Sequence, residues 1–112
     1  MTEFFYRYEE QATGDWDDEF ESVIGTRIDI RLRKYPVAKR TPKGVWLNNY
    51  GTKRFVLNDS HKRFACETKE LAMESFIARK RRQAGILRAQ LRNVEKALSI
   101  AQLHRDAILG RL

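Results

Sequence analysis

Residues 39–64 read KRTPKGVWLNNYGTKRFVLNDSHKRF, and the reading of this stretch decides the fold class. Two short runs, Val45–Asn48 and Lys53–Asn58, flank Asn49-Tyr50-Gly51-Thr52. Asn and Gly supply left-handed backbone conformations, so the pattern predicts an antiparallel hairpin. Just upstream, Pro42-Lys43-Gly44 has turn chemistry, with proline fixing φ and glycine tolerating positive φ. A strand is therefore expected to begin at Val45, with Pro36 and Pro42 bracketing the connection that precedes it.

Working back toward the N-terminus, Thr26–Tyr35 (TRIDIRLRKY) alternates without a break. Ile28, Ile30 and Leu32 fall on one side, and Arg27, Asp29, Arg31 and Arg33 on the other. This predicts a half-buried strand with a basic wet face. Phe4–Tyr8 is short and aromatic and reads as an edge strand. Between them, Glu9–Gly25 admits two readings. Either Asp15 caps a short helix with Trp16, Glu19, Phe20 and Val23 on one side and Gly25 at its end, or the segment is an acidic loop pinned by Trp16 and Phe20.

Working forward, Asp59-Ser60 is read as the cap of a separate helical turn over His61–Ala65. From Thr68 to about Leu103 there is no proline, and only Gly85 interrupts a run rich in helix formers. One long helix is expected, with Thr68 as N-cap and Glu70 in the first turn, where an acid favours the helix dipole. Its early residues Leu71 and Phe76 are expected to cover the sheet. The fold class is thus α+β: a small antiparallel sheet of three or four strands followed by one long C-terminal helix.

At 112 residues the chain is expected to form a single domain. Its charge is unevenly spread: residues 1–26 carry one basic and eight acidic side chains, residues 27–66 eleven and two, and residues 67–112 ten and five, giving a net +7. The organisation reads as an acidic N-terminal segment (1–25), a basic sheet region (26–66) and a long basic helix (67–112). Such a split predicts that the acidic segment serves as an intramolecular counter-ion or as a docking strip for a neighbour.

No apolar run approaches the roughly 18 residues that span a bilayer. The N-terminal MTEFFYRYEEQ lacks the basic and apolar regions of a secretion signal. No membrane association and a cytoplasmic location are the expectations. Cys66 is the only cysteine, which excludes an internal disulfide and a thiolate cluster and predicts a small buried group.

Within the helix, Met73, Ile77, Lys80, Ala84, Leu87, Leu91, Val94, Leu98, Ala101, Arg105, Ile108 and Leu112 follow strict 4-3 spacing. From Ala84 to Ala101 every member is apolar. A 3.5-residue seam is what a helix paired with another helix requires, so a coiled-coil homo-oligomer through Ala84, Leu87, Leu91, Val94, Leu98 and Ala101 is expected. The alternatives are packing on the chain's own sheet and a fold-back of the ILGRL ending. Arg81, Arg88, Arg92 and Lys96 form a ridge of like charge below the dense run Arg79-Lys80-Arg81-Arg82. That ridge is either a phosphate-binding stripe or a solvated face.

Basic pairs alternate with rings through residues 39–64. Cations attract phosphates and flat rings stack on bases, so this is the chemistry of a nucleic-acid or nucleotide surface. The candidate ligand contacts are Lys39, Arg40, Lys43, Trp46, Tyr50, Lys53, Arg54, Lys62 and Arg63, joined by Arg79 and Arg82 of the helix. Lys43, Lys53 and Arg54 are assigned to phosphates, and Trp46 and Tyr50 to stacking. The plainer alternative places the rings in the core and leaves the cations merely solvated.

Catalysis is not expected. No Walker loop, nucleophile elbow or HExxH occurs, and His61 and His104 are far apart, so neither a metal nor a cofactor is implied. Asp59 with Glu67-Thr68-Lys69 superficially matches the D…ExK pattern of metal-dependent nucleases, but at a helix start rather than on a strand.

Thr41–Trp46, Tyr50-Gly51, Lys53–Leu57, Lys62–Ala65 and Ser75–Arg81 together resemble small accessory proteins of tailed bacteriophages. The resemblance covers roughly the last two thirds of the chain and includes no motif diagnostic of an activity. It implies a non-enzymatic protein, acting in the host-cell cytoplasm, that binds nucleic acid or counteracts host defence. It would do the latter by sequestering a nucleotide signal or by occupying an effector's surface. The ligand is accordingly expected to be a phosphate-bearing anion. The competing class is an inhibitor or adaptor that binds a host defence protein through its aromatic and arginine side chains.

Overall fold

A computed structural model describes residues 2–17, 22–60 and 62–110. Four strands, β1 (Phe4–Asp17), β2 (Ser22–Arg40), β3 (Gly44–Asn49) and β4 (Thr52–Leu57), precede one helix, α1 (Lys69–Leu109). The strands form an antiparallel sheet in the order β1-β2-β3-β4. The expected α+β class, with a four-stranded sheet and a long C-terminal helix, is what the structure has. Met1–Ile77 forms one compact unit and Ala78–Leu112 a second.

In the first unit, β3 and β4 pair from Gly44↔Leu57 to Asn49↔Thr52. Tyr50 and Gly51 alone make the turn, both at positive φ, 47° and 91°. This is the tight hairpin expected from the sequence, closed by a left-handed pair whose twist suits the flanking strands. Gly44 departs from its expected role: its φ is not positive. A Cβ there would lie 2.2 Å from the Val56 carbonyl oxygen and 2.6 Å from the Phe55 ring. Glycine is required because the neighbouring strand comes so close.

β1 and β2 form a longer ribbon than the sequence suggests, in continuous register from Phe4↔Pro36 to Asp15↔Gly25, with an irregularity between Asp15 and Trp16. Trp16 pairs with Val23 on strands, so these two do not share the side of a short helix; Glu19 and Phe20, on which the rest of both readings depends, lie outside the described residues. Pro36 does not end β2, which continues to Arg40. The Val37 N–H turns toward β1 and donates to Glu3 O at 2.9 Å. The nitrogen of the preceding proline therefore faces the other way, beside the point where β3 begins to pair, and no ladder bond is lost.

The core comprises Phe5, Tyr35, Val45, Leu47, Val56 and Ala65, with Val37 and Phe64 packed against it. Phe64 and Ala65 of the β4–α1 connection thus contribute to the cover over this inner face. The described residues of that connection contain bends and no separate helical turn; Lys62 N–H donates to Ser60 Oγ at 3.2 Å, and His61 lies outside the described residues. It reaches the free edge of β1, where buried Cys66 exchanges two backbone hydrogen bonds with Tyr6 at 2.7 and 2.8 Å. Thr68 then caps α1, its Oγ1 accepting from Leu71 N–H at 3.1 Å. Ala72 and Phe76 are the buried helix residues, whereas Leu71 is exposed.

Ile28, Ile30 and Leu32 are not the buried side of β2. Phe5 pairs with Tyr35 in the core, and the register is unbroken from there to Arg27. Strand alternation places Ile28, Ile30 and Leu32 on the opposite, outer face. Ile28 and Ile30 are each 54% exposed. Among the described residues β2 pairs with β3 only over Val37–Arg40, and the Ile28 end of the ribbon has no third strand beside it.

In the second unit α1 continues without a break to Leu109, beyond the expected end at Leu103. Gly110 N–H donates to Asp106 O at 2.8 Å. Ile108 and Leu109 remain helical and exposed, so these two do not fold back; Arg111 and Leu112 lie outside the described residues. No helix among the described residues is long and apolar enough to cross a membrane.

Candidate functional site

The sheet sorts the candidate contacts between its two faces. Val45, Leu47 and Val56 point into the core, so Trp46 and Phe55, directly opposite each other, point outward. Their ring centroids are 4.9 Å apart, at 46°. A register irregularity between Val37 and Lys39 brings Lys39 opposite Trp46, on the same outer face. Lys53 lies two residues from Phe55 and shares that face. Lys39, Trp46 and Lys53 line a shallow depression of about 210 Å³. Neither lysine is within ion-pair distance of an acid among the described residues.

The outer face extends across β2 and β1. Lys34 pairs with Tyr6, and Pro36 with Phe4; the Lys34 ammonium sits 6.0 Å from the Phe4 ring centroid. Lys34, Phe4 and Phe55 were not picked out as contacts from the sequence. The signal was available in strand parity: once Phe5 and Tyr35 are assigned to the core, even-numbered β1 residues fall on the outer face, the one that carries Trp46.

The inner face holds other candidates, and they are engaged. Arg54, opposite Leu47, lies 4.0 Å from the Phe64 ring centroid, and Arg7 lies 4.6 Å from it. Tyr35 meets Phe64 at 5.1 Å and Tyr50 at 6.3 Å, and the Arg33 guanidinium stands 5.9 Å from the Tyr50 ring. Glu9 holds both Arg33, at 2.7 Å, and Arg7, at 3.1 Å; its charge raises the Arg33 pKa further above the ordinary value. Burial pushes the Tyr35 phenol upward as well.

Arg40 and Arg63 are neutralised. Arg40 donates to Glu3 and stands 5.9 Å from the Phe5 ring. Arg63 makes a two-pronged pair with Glu67, with Nη1 2.9 Å from Oε2. That hydrogen bonding holds the Glu67 carboxyl below the usual carboxylate range. Glu3 and Glu9 thus act as counter-ions within their own chain. The Glu67 pair also removes one carboxylate from the D…ExK pattern, and no cluster of metal-ligating side chains occurs among the described residues.

Lys43 and Lys62 are exposed without an acidic partner among the described residues. Lys62 lines a second depression of about 200 Å³ with Arg54 and Arg63. Arg79 and Arg82 belong to the helical unit, where Arg82 is exposed and Arg79 partly buried. Compared with known proteins, the chain matches no family model, no curated sequence and no solved structure.

Proposed function

We propose that this protein is a non-catalytic binding protein for single-stranded nucleic acid, held on the outer face of the sheet. The observation that carries the reading is the Trp46–Phe55 ring pair with Lys39 and Lys53 beside it, neither with an acidic partner among the described residues. Rings on an open sheet face stack on bases that are themselves unstacked, and lysines beside them meet the phosphates that follow each base. Lys34 beside Phe4 repeats the pairing two strands away.

The shape favours a strand over a small nucleotide. A pocket that encloses a nucleotide-sized ligand has on the order of 300–1,000 Å³, whereas the depression at Trp46 has about 210 Å³ and is open. A duplex hides its bases and would leave the rings without partners.

The test is fluorescence anisotropy of labelled single-stranded oligonucleotides, at salt from roughly 50 to 200 mM. Three phosphate contacts, at Lys34, Lys39 and Lys53, predict a slope of log K against log salt of about −2. Lys39→Glu with Lys53→Glu should abolish binding while leaving the circular dichroism spectrum unchanged. Salt-resistant binding of a mononucleotide would replace the strand with a pocket ligand. Silence toward every oligonucleotide, with the fold intact, would leave protein recognition by the same rings as the surviving account.

A further inference from the structure

Residues 78–109 of α1 are helical, and from Ile86 onward their large apolar side chains face water. Leu87, Leu91, Val94 and Leu98 are 55%, 57%, 63% and 56% exposed. They form one seam with Ala84 and Ala101, flanked by Arg88 and Glu95 on one side and Gln83, Gln90 and Ala97 on the other. Ile86 and Ile100 lie off this seam, and the line that joins them is broken by Asn93. An apolar seam at 3.5-residue spacing requires a second helix to cover it.

The seam is its own complement when read backwards. About a point between Arg92 and Asn93, Ala84 mirrors Ala101, Leu87 mirrors Leu98, and Leu91 mirrors Val94. Small residues meet small ones at the ends and large ones meet in the middle. The same antiparallel arrangement brings Arg88 of one copy beside Glu95 of the other, twice, because both lie on the same flank, about two residues or 3 Å apart along the axis. It also sets Lys80 against Arg105 at each end, and this like-charge pair limits the apolar contact to the six layers between. In a parallel pair Arg88 would face Gln83 and Glu95 would face Gln90, and neither charge would find an opposite.

We infer that the protein self-associates as an antiparallel homodimer through Ala84–Ala101, its register fixed by reciprocal Arg88–Glu95 pairs. The occupant of the exposed seam is a second copy of this chain. The inference stands apart from the nucleic-acid reading, since it uses none of the sheet residues.

The test is light scattering on the full chain together with charge reversal. The wild type should be a dimer. Arg88→Glu should weaken association at least tenfold, and so should Glu95→Arg, because each creates two like-charge contacts. The double variant R88E/E95R should restore it. Leu91→Glu should give monomer with helicity reduced.

Orientation is read by spin labels at Arg82→Cys in a Cys66→Ala background. An antiparallel pair separates the labels by about 30 Å along the axis, from 1.5 Å per residue, and a parallel pair leaves them side by side. A monomeric wild type, a double variant no tighter than the singles, or labels side by side would overturn the inference.

Discussion

The guanidinium of Arg54 lies 4.0 Å from the centroid of the Phe64 ring, on the face of the sheet opposite to its neighbour Lys53. Two adjacent cations that look equivalent in the sequence therefore do different work. Arg54 closes the core over Phe64, and Lys53 stands beside Trp46 on the open face. Arg54→Ala should cost about 1 kcal/mol of stability, the range of a partly exposed cation–π contact, and leave oligonucleotide affinity within twofold. Lys53→Ala should do the reverse, lowering affinity and reducing the salt slope by about 0.7. Urea unfolding and anisotropy on the same two variants check both halves.

Gly44 and Gly85 should respond in opposite directions to alanine. At Gly44 the new Cβ would meet the Val56 carbonyl oxygen at 2.2 Å, a backbone clash that the hairpin relieves only by moving apart. Gly44→Ala should lose about 3 kcal/mol or more, in the range of the severe single-site effects. At Gly85 a Cβ meets nothing within 4 Å, so Gly85→Ala should raise helix stability by about 1 kcal/mol. Thermal melts of the two variants measure the contrast.

The hairpin at residues 44–57 and the long helix were legible because their signals are local. Asn49-Tyr50-Gly51-Thr52 demands a turn whatever surrounds it, and a proline-free run after a threonine cap demands a helix. The face of β2 was not legible. Alternation in TRIDIRLRKY separates Ile28, Ile30 and Leu32 from the arginines, but which side meets the core depends on Tyr35 pairing with Phe5, thirty residues away. The strands at Phe4–Tyr8 and Thr26–Tyr35 were legible, but the extension of β1 to Asp17 and of β2 back to Ser22 was not, because the acidic stretch lacks alternation. As with β2, the face of each candidate contact was not legible: Lys39, Trp46 and Lys53 share the outer face, whereas the fold holds Arg40, Arg54 and Arg63 against rings and carboxylates.

Acid stability should carry the signature of Glu67. Its carboxyl is held below the usual range chiefly by hydrogen bonds from Arg63. A group whose folded pKa is depressed adds stability above its unfolded pKa and loses it as pH falls through the folded value. The wild type should therefore lose stability below the ordinary glutamate pKa of 4.5, and Glu67→Gln should lose less over the same interval. Urea midpoints at about pH 6 and about pH 3 measure it. The gap between wild type and variant should narrow at the lower pH.

The helix cap offers a simpler check. Thr68 Oγ1 accepts from Leu71 N–H at 3.1 Å, and Thr68→Ala should cost about 1 kcal/mol. Thr68→Ser keeps the acceptor and should recover most of the loss in the same urea titration.

The measurement that bears most directly on the proposed function is the emission of Trp46 during titration with a single-stranded oligonucleotide. The chain has two tryptophans, so Trp16→Phe leaves Trp46 as the sole reporter. Base stacking on the outer face predicts quenching that saturates, weakens steeply with salt, and disappears when Lys39 and Lys53 are both glutamate. Oligonucleotide binding with the Trp46 emission unchanged, or binding that survives the double charge reversal, would contradict it.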